Sequence, residues 1–208
     1  MTSGPHVRRV GDRGILVELR DNDEVQRVAA AARDRYGSVL ADVVAGHRTV
    51  LLAWPSPPVD PRVVDAVCTS SDAAAEARPP GAVTVPAVYD GPDLDEVARH
   101  AESSREEVAR RHAAGHYRVA FVGFAPGFAY LLGADPVLHV PRRSEPRERV
   151  PAGALALAGE YTAVYPSASP GGWQIIGRTD LRMFDLARER PALLEPGMHV
   201  RFEDVRPR

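Results

Sequence analysis

The chain has 208 residues, with 26 lysines and arginines against 28 aspartates and glutamates, a formal net charge of -2 and a pI of about 6.4. A charge this close to zero gives no field that would attract nucleic acid or anionic lipid, so we predict neither partner. The apolar runs are shorter than the roughly 20 residues that span a bilayer and no leader pattern follows Met1, so we expect a cytoplasmic protein.

Apolar alternation and turn residues divide the first part of the chain into a series of strands and helices. The predicted elements are strand Ile15–Leu19, helix Glu24–Tyr36 ending before Gly37, strand Val39–Val44, strand Thr49–Trp54, a helix opened by Asp60 and Pro61, and strand Val83–Val88. The order βαββαβ is typical of a ferredoxin-like unit. We therefore predict an α+β protein whose first, ferredoxin-like domain covers residues 1–88.

Two short helices and a domain of short strands are predicted next. Asp93 with Glu96, and Ser104 with Glu107, have the spacing of a capping box, and Gly115 is placed to end the second helix. Beyond residue 116, proline and glycine turns separate the apolar segments YRVAFVG, LALAG, YTAVY, WQIIG, MFDL and MHVRF. Such spacing favours a closed or sandwiched β-domain, predicted over residues 89–208 with the helices as its lead-in.

The segment GFAPGFAYL, residues 123–131, places aromatic residues around a Pro-Gly turn. Phe124, Phe128 and Tyr130 alternate with small residues beside Pro126 and Gly127. Rings at this spacing either form the wall of a site for a flat ligand or fill the core of the barrel. The sequence leaves both interpretations open.

A second glycine-rich segment, SPGGWQIIGRT, covers residues 169–179. Gly171 and Gly172 are candidates for an anion-binding nest of backbone N–H groups, with Trp173 as a wall and Gln174 as a hydrogen-bond donor or acceptor. Arg178 is a further candidate for binding substrate. A simple hairpin turn is the alternative for the glycines.

Between these segments lies PRRSEPRERVPAG, which contains four arginines within eight positions. They are Arg142, Arg143, Arg147 and Arg149. Guanidinium groups bind carboxylate and phosphate in a bidentate manner, and the flanking prolines lower the entropy cost of ordering the loop. A small anionic ligand is therefore predicted. The alternative is a solvated loop in which Glu145 and Glu148 neutralise the arginines.

The histidines, the single cysteine and the standard sequence motifs decide which other kinds of site are predicted. His112 and His116 are four apart, but Gly115 ends the helix between them, so we predict no metal site. His112 alone is either a proton carrier or a cation at a helix C-terminus. Cys68 is the single cysteine, which excludes an internal disulfide, and we interpret it as a buried apolar residue. The chain has no standard phosphate-binding glycine loop and no serine hydrolase elbow.

Together, GFAPGFAYL, PRRSEPRERVPAGALALAG and YPSASPGGWQIIGRT resemble the family of the B-type subunit of 5-oxoprolinase, also known as allophanate hydrolase subunit 1 and as the kinase inhibitor KipI. The similarity covers most of residues 83–203, including YDGPDLDEVA and EPGMHVRF. In the first domain VGDRGILVEL fits, whereas AGHRTVLLAW departs from the family pattern, as does GAD at 133–135. The resemblance implies a ferredoxin-like domain followed by a cyclophilin-like β-barrel.

The resemblance also implies an activity and partners. Members work with a larger, KipA-like C-type subunit and with a separate A-type subunit to open 5-oxoproline to glutamate with ATP. The ATP is bound either at a barrel site shared with the C-type subunit or wholly by the partner. From the chemistry of this reaction we hypothesise that the catalytic residues are His112, Tyr130, Arg147 and Gln174. The residues hypothesised to bind substrate are Phe124, Pro126, Gly127, Phe128, Arg142, Arg143, Gly171, Gly172, Trp173 and Arg178.

Two other functions remain open on the sequence. One is a KipI-like inhibitor of a sensor histidine kinase, which would not need the glycine and arginine segments. The other is a carboxyltransferase subunit of the urea carboxylase or allophanate hydrolase type, which would require a biotinylated carrier. A small anionic substrate explains the glycine and arginine segments better than a protein surface does, so we rank the 5-oxoprolinase function first.

Overall fold

The computed structural model describes residues 5–71 and 81–205, and the chain divides into two compact units, Met1–Arg78 and Pro79–Arg208. Each unit has its own hydrophobic core. Helices and strands are both present in each unit, so the α+β class predicted from the sequence is confirmed. Among the helices that the structure describes, none has the length and apolar character that crossing a membrane requires.

The first unit is a sheet with two helices. Its elements are β1 (His6–Val10), β2 (Gly14–Glu18), α1 (Asn22–Tyr36), β3 (Asp42–Ala45), β4 (Thr49–Ala53) and α2 (Arg62–Ser71). The strand order is β1-β2-β4-β3, and each neighbouring pair is antiparallel. β2 and β3 therefore run parallel on either side of β4 with α1 as the crossover, which is the split βαβ arrangement. Asp21 caps α1, because its carboxylate accepts the N–H of Glu24 at 2.8 Å.

The strand predicted at residues 83–88 does not join this sheet. It is β5 (Ala82–Ala87), which pairs with the last strand of the second unit, so the division between the units falls at 78/79 and not at 88/89. The place beside β2 is taken by β1, which the sequence did not predict. All five residues of β1 are exposed, so its sequence HVRRV lacks the alternation of apolar and polar residues by which a strand is recognised.

The second unit contains two helices and nine strands among its described residues. They are β5, α3 (Leu94–His100), α4 (Arg105–Ala114), β6 (Tyr117–Val122), β7 (Ala129–Leu132), β8 (Arg147–Val150), β9 (Ala154–Ala158), β10 (Tyr161–Val164), β11 (Ser169–Gly171), β12 (Gln174–Arg178) and β13 (His199–Asp204), with a 3₁₀ turn at Pro136–Leu138. Seven strands form one sheet in the order β12-β9-β10-β7-β6-β13-β5, and β8 pairs with β11 separately. The strand predicted at MFDL is absent: only an isolated bridge joins Phe184 to Ala192.

The two edges of the seven-stranded sheet meet just beyond β5. Val88 and Arg178 exchange two backbone hydrogen bonds, at 2.8 and 2.9 Å, in an antiparallel bridge. A Cβ on Gly177 would lie 2.4 Å from the carbonyl oxygen of Val88, and one on Gly91 would lie 2.3 Å from that of Ile175. The close approach of the backbones therefore requires glycine at both positions. The sheet is a nearly closed barrel, and we call residues 88–93, which run along β12, the closing strap.

Strand β9 shows how the barrel is buried on both faces. In its sequence ALALA, Leu155 and Leu157 belong to the interior cluster, whereas Ala154, Ala156 and Ala158 belong to a second cluster on the opposite face. All five side chains are at most 4% exposed. Because successive side chains of a strand point to opposite faces, the alanines leave room outside the barrel for large rings.

The starts of the two helices differ in their capping. Ser104 caps α4 as predicted, because its hydroxyl accepts the N–H of Glu107 at 3.1 Å. Asp93 stands at the start of α3 but makes no side-chain capping bond, so the capping box predicted there is wrong. Leu94 and Val108 carry the apolar faces of these helices into the interior cluster.

Candidate functional site

Two of the segments singled out in the sequence meet through their aromatic residues, and the third joins them through the backbone. The ring centroids of Phe128 and Trp173 are 5.6 Å apart. The backbone N–H of Arg143 donates to the carbonyl oxygen of Gly172 at 2.8 Å. The three segments are therefore linked to one another in the structure.

Phe128 and Trp173 form the core of this meeting point. They are 2% and 5% exposed, and the ring of Phe128 lies edge-to-face with Trp173 and with Tyr165. Both belong to the cluster that covers the alanines of β9. The interpretation in which the rings fill the core is therefore correct for these two residues, and their burial leaves almost no surface for the predicted contact with substrate.

Tyr130 lies at the edge of the same cluster and is partly buried. Its ring stacks on Phe121 with 4.3 Å between centroids, and it meets Tyr161 edge-on at 5.6 Å. Burial raises the pKa of Tyr161 and also that of Tyr165. These two hydroxyls therefore stay protonated at neutral pH.

Phe124 is different, because its ring is 64% exposed and its backbone has a φ of +67°. The N–H of Ala125 donates to the carbonyl oxygen of Gly123 at 2.8 Å, which closes a γ-turn on Phe124. With positive φ this is the rare, strained form of the turn. The next turn runs over Pro126 and Gly127, where glycine supplies the φ of +80° that the turn requires.

These turns line an open, mostly apolar cleft of about 410 Å³. Its walls are Phe124, Pro126 and Gly127 on one side and Ala192, Leu194, Glu195 and Pro196 on the other. Neither the arginine segment nor residues 171–174 line it. The residues predicted to bind substrate are therefore divided between this cleft and the arginine segment.

The predicted nest at Gly171 and Gly172 is wrong. Gly171 belongs to β11, opposite Arg147 of β8, and neither glycine has the positive φ of a nest. A Cβ at position 171 would lie 2.4 Å from the hydroxyl oxygen of Tyr165. Glycine is therefore needed at 171 so that this tyrosine can pack against the strand.

A buried carboxylate, Asp93, holds the arginine segment. Arg147 donates from its two terminal nitrogens to Oδ2 and Oδ1 of Asp93 at 2.8 and 2.7 Å, and Arg143 donates to Oδ1 at 2.9 Å. The backbone N–H of Ile175 on β12 donates to Oδ2 at 2.7 Å. Asp93, which is 4% exposed, thus links this segment to the barrel. Sequence reasoning missed it, since the spacing to Glu96 indicated a helix cap.

Because Arg143 and Arg147 are bound to Asp93, they are not the free groups that the sequence predicted to bind substrate directly. Two guanidinium groups share one carboxylate, so the cluster carries a net positive charge. The two arginine side chains are 33% and 24% exposed. A net charge held in a partly buried place is stabilised by a counter-anion.

The other two arginines predicted to bind substrate are placed differently. Arg142 is exposed, and its guanidinium lies 5.9 Å from the ring centroid of Trp173. Over residues 5–71 and 81–205 it has no carboxylate partner. Arg178, in contrast, forms an ion pair with Asp90 at 3.0 Å. Arg142 is therefore the guanidinium best placed to accept an anion from outside.

Gln174, the first residue of β12, is only 6% exposed. Its amide nitrogen donates at 3.3 Å to the carbonyl oxygen of Pro141, the residue that precedes Arg142. Its amide oxygen is buried and has no hydrogen-bond partner in the part of the chain that the structure describes. Leaving a buried acceptor without a hydrogen bond costs about 1–3 kcal/mol of stability. A ligand N–H or O–H group that donates to this oxygen would remove that penalty.

His112 lies elsewhere, in the barrel interior, where it is fully buried. Its Nδ1 is 2.8 Å from the hydroxyl of Tyr89, and its Nε2 is 2.9 Å from that of Thr162. Since the Thr162 hydroxyl donates to the backbone of Ala156, Nε2 carries the proton and Nδ1 accepts. Burial lowers the pKa of His112 to about 3. The predicted catalytic role is wrong, because this neutral ring has no exposed surface.

A second cleft, of about 510 Å³, lies at the end of α4. Its charged lining residues already have partners, since Arg110 and Arg111 both bond Glu107 and Arg111 also bonds Asp135. Considering only the described residues, the structure holds no cluster of three His, Cys, Asp or Glu side chains able to bind a metal ion.

The chain was compared with known protein families. Residues 5–194 match the family described as "Carboxyltransferase domain, subdomain C and D". This match covers both units of the structure.

Curated relatives with established names were also found. Over 123 residues the chain is 50% identical to the B-type 5-oxoprolinase subunit of Escherichia coli O157:H7 and 46% identical to the protein of the same name from Bacillus subtilis (strain 168). Each alignment covers 58% of this chain, and 56% and 51% of the relatives. The chain therefore spans about half the length of the curated relatives it matches. A "Putative urea carboxylase" of Emericella nidulans is more distant, at 32% identity over 89 residues and 7% of its own length.

Among solved structures, the crystal structure of TTHA0988 superposes with a TM-score of 0.78 at 34% identity, covering 94% of this chain and 40% of that chain. The urea amidolyase of K. lactis superposes with a TM-score of 0.68 at 20% identity, over 97% of this chain and 15% of that one. At 20% identity, the similarity to the urea amidolyase shows a shared fold and nothing more.

Proposed function

The chain belongs to the carboxyltransferase-domain family, subdomain C and D, and on that premise we propose that it acts as the B-type subunit of a cytoplasmic, ATP-dependent 5-oxoprolinase. In this proposal it works with the C-type and A-type subunits, and the complex opens 5-oxoproline to glutamate. The observation that carries the proposal is the 50% identity over 123 residues to a protein named as this subunit of 5-oxoprolinase.

The arginine segment supports this choice of substrate. 5-Oxoproline is a small anion with one carboxylate and one lactam N–H. Arg142 is a guanidinium without a carboxylate partner in the described chain, and the nearby Gln174 has an unpaired buried amide oxygen. In our proposal Arg142 binds the carboxylate of the substrate, or a phosphate, and Gln174 accepts the lactam N–H.

The reaction also explains why partners are needed. Water adds to the lactam carbonyl carbon and the ring C–N bond breaks, which leaves the γ-carboxylate and the amino group of glutamate. The lactam is a resonance-stabilised amide, so its carbonyl oxygen must be activated. The glycines at 171 and 172, which were the candidates for an anion-binding nest, lack nest geometry. We therefore assign ATP binding to a site that the C-type subunit completes or holds.

A substitution at Arg142 tests the proposal. The chain is reconstituted with the C-type and A-type subunits, and ADP release that depends on 5-oxoproline is measured. Arg142→Ala should raise KM for 5-oxoproline by about ten- to a hundredfold, because a charge-assisted hydrogen bond contributes about 1.5–3 kcal/mol. Arg142→Lys, which keeps the charge but loses the fork, should fall between this variant and the wild type.

Arg149→Ala is the matched control, because Arg149 is an exposed arginine of the same segment. It should leave KM within about twofold of the wild type. Absence of 5-oxoproline-dependent ADP release by the wild-type complex would refute the proposal, whereas equal KM values for Arg142→Ala and Arg149→Ala would remove Arg142 from the site. Turnover that requires a biotinylated carrier and urea would support a carboxyltransferase role in its place.

A further inference from the structure

We infer that Asp93 is the positioning residue of the anion site, a carboxylate that holds the arginine segment against β12 and so keeps the guanidinium of Arg142 over Trp173. This inference rests on the proposed function, since it concerns how the same site takes the carboxylate of its substrate. Asp93 does not contact the substrate and acts only through the arginines.

The placement of Asp93 comes from the closing strap. Gly91 and Asp93 donate their backbone N–H groups to the carbonyl oxygens of Ile176 and Ile175 at 3.1 and 3.0 Å, so the strap follows β12 closely. The N–H of Ile175 returns a bond to Oδ2 of Asp93 at 2.7 Å. Asp93 is thus bound to β12 through both its backbone N–H and its carboxylate, and neither bond involves an arginine.

The arginine segment is fixed to this carboxylate at two points. Arg147 makes a bidentate contact with Asp93 and Arg143 a single one, while the backbone N–H of Arg143 bonds Gly172. Arg142 precedes Arg143 directly, so its backbone is held next to the loop that carries Trp173. From there the guanidinium of Arg142 lies 5.9 Å from the ring centroid of Trp173.

The charges around Asp93 also favour an anion outside the cluster. The groups facing it are Arg143 and Arg147, and beyond them the exposed guanidinium of Arg142. Together these four side chains carry three positive charges and one negative charge. The single carboxylate neutralises only part of this charge, so a bound carboxylate or phosphate completes the balance. Without Asp93 the arginines would repel one another, and the arginine segment would lose its attachment to β12.

The experiment compares Asp93→Asn with Asp95→Asn in the reconstituted complex. Asp95 is the matched control, because it is a surface aspartate two positions away whose partner is the exposed Arg105. Asp93→Asn should raise KM for 5-oxoproline by at least about tenfold with a much smaller change in kcat, and Asp95→Asn should leave both within about twofold. An unchanged KM for Asp93→Asn overturns the inference.

A second comparison separates positioning from simple structural support. In a chain that carries Arg143→Gln and Arg147→Gln, adding Asp93→Asn should change KM by less than about twofold, because the groups through which it acts are gone. If Asp93→Asn raises KM by the same factor with and without the arginines, it acts through the barrel alone and the inference is wrong. Asp93→Glu, which keeps the charge, should restore part of the affinity if Asp93→Asn folds poorly.

A binding measurement on the chain by itself keeps this test independent of the proposed function. Inorganic phosphate is titrated while the two indole N–H signals, from Trp54 and Trp173, are followed by NMR. Phosphate should shift the Trp173 signal alone, and Asp93→Asn should weaken that response by about tenfold relative to Asp95→Asn. Equal responses overturn the inference even if the complex is active. A normal phosphate response of the chain by itself, together with a reconstituted complex that does not cleave 5-oxoproline, refutes only the proposed function.

Discussion

Lowering the pH from 7 to 5 should destabilise the second unit by about 2 kcal/mol through His112 alone. Burial lowers the pKa of this histidine to about 3, from an ordinary value of 6.5. In the unfolded chain it gains a proton as the pH falls below about 6.5, whereas the folded protein resists protonation. The contribution of the neutral ring to stability is therefore complete above pH 6.5 and decreases as the pH falls toward 3.

The magnitude follows from linkage. Each pH unit below the pKa of His112 in the unfolded chain lowers the free energy of unfolding by about 1.4 kcal/mol. A pH of 5 lies about 1.5 units below that pKa. The result hardly depends on the exact folded value, because any folded pKa at or below about 4 leaves the ring neutral at pH 5. The change should be smaller only if the folded protein accepts the proton.

The assay is urea unfolding of the second unit at pH 7 and pH 5, followed by the fluorescence of Trp173 in a Trp54→Phe background. His112→Gln is the comparison, since glutamine can donate to Thr162 and accept from Tyr89 without titrating. Titration of the carboxylates contributes equally to both proteins and cancels. The wild type should lose about 2 kcal/mol more than the variant over this range, and equal losses would refute the assignment of His112 as a neutral core residue.

Three further substitutions test the packing of the barrel and its helices. Ser104→Ala should lower the free energy of unfolding by about 1 kcal/mol through loss of the helix cap, measured by chemical denaturation. Gly171→Ala should lower the melting temperature because the new methyl group meets the hydroxyl of Tyr165, and adding Tyr165→Phe should recover part of that loss; no recovery would argue against this contact. Leu157→Ala should cost about 2–5 kcal/mol, since Leu157 is completely buried, whereas Leu186→Ala at an 80% exposed position should change stability by less than about 0.5 kcal/mol.

Much of the fold was predictable, because it is encoded by local patterns. The leucine and alanine alternation of β9, and the cap at Ser104, each specify an element within a few residues. The resemblance to the 5-oxoprolinase family was confirmed by the family match and by the curated relatives. The failures concern long-range pairing: the pattern of β5 indicates a strand but not the sheet that receives it, and β1 has no pattern at all.

The site was predicted less well, for a related reason. The segments that meet were identified, yet the roles of their residues depend on burial and on partners far away in sequence. Trp173 was expected to face a ligand and is buried. His112 lies in the last turn of α4 as expected, but it is enclosed by rings and neutral, so it is neither an exposed cation nor a proton carrier. Asp93 finds Arg143 and Arg147 much later in the chain, at separations of 50 and 54 positions. Neither its spacing nor its neighbours in sequence indicate that contact.

The position of β13 has a consequence for how the barrel forms on the ribosome. β13, the last strand that the structure describes, lies between β5 and β6, and it is the partner that holds β5 in the sheet. While residues 199–204 are still unsynthesised, β5 and β6 have a gap between them that no earlier segment fills. Barrel closure therefore awaits the synthesis of β13, so a nascent chain halted before β13 should expose apolar edges that recruit chaperones.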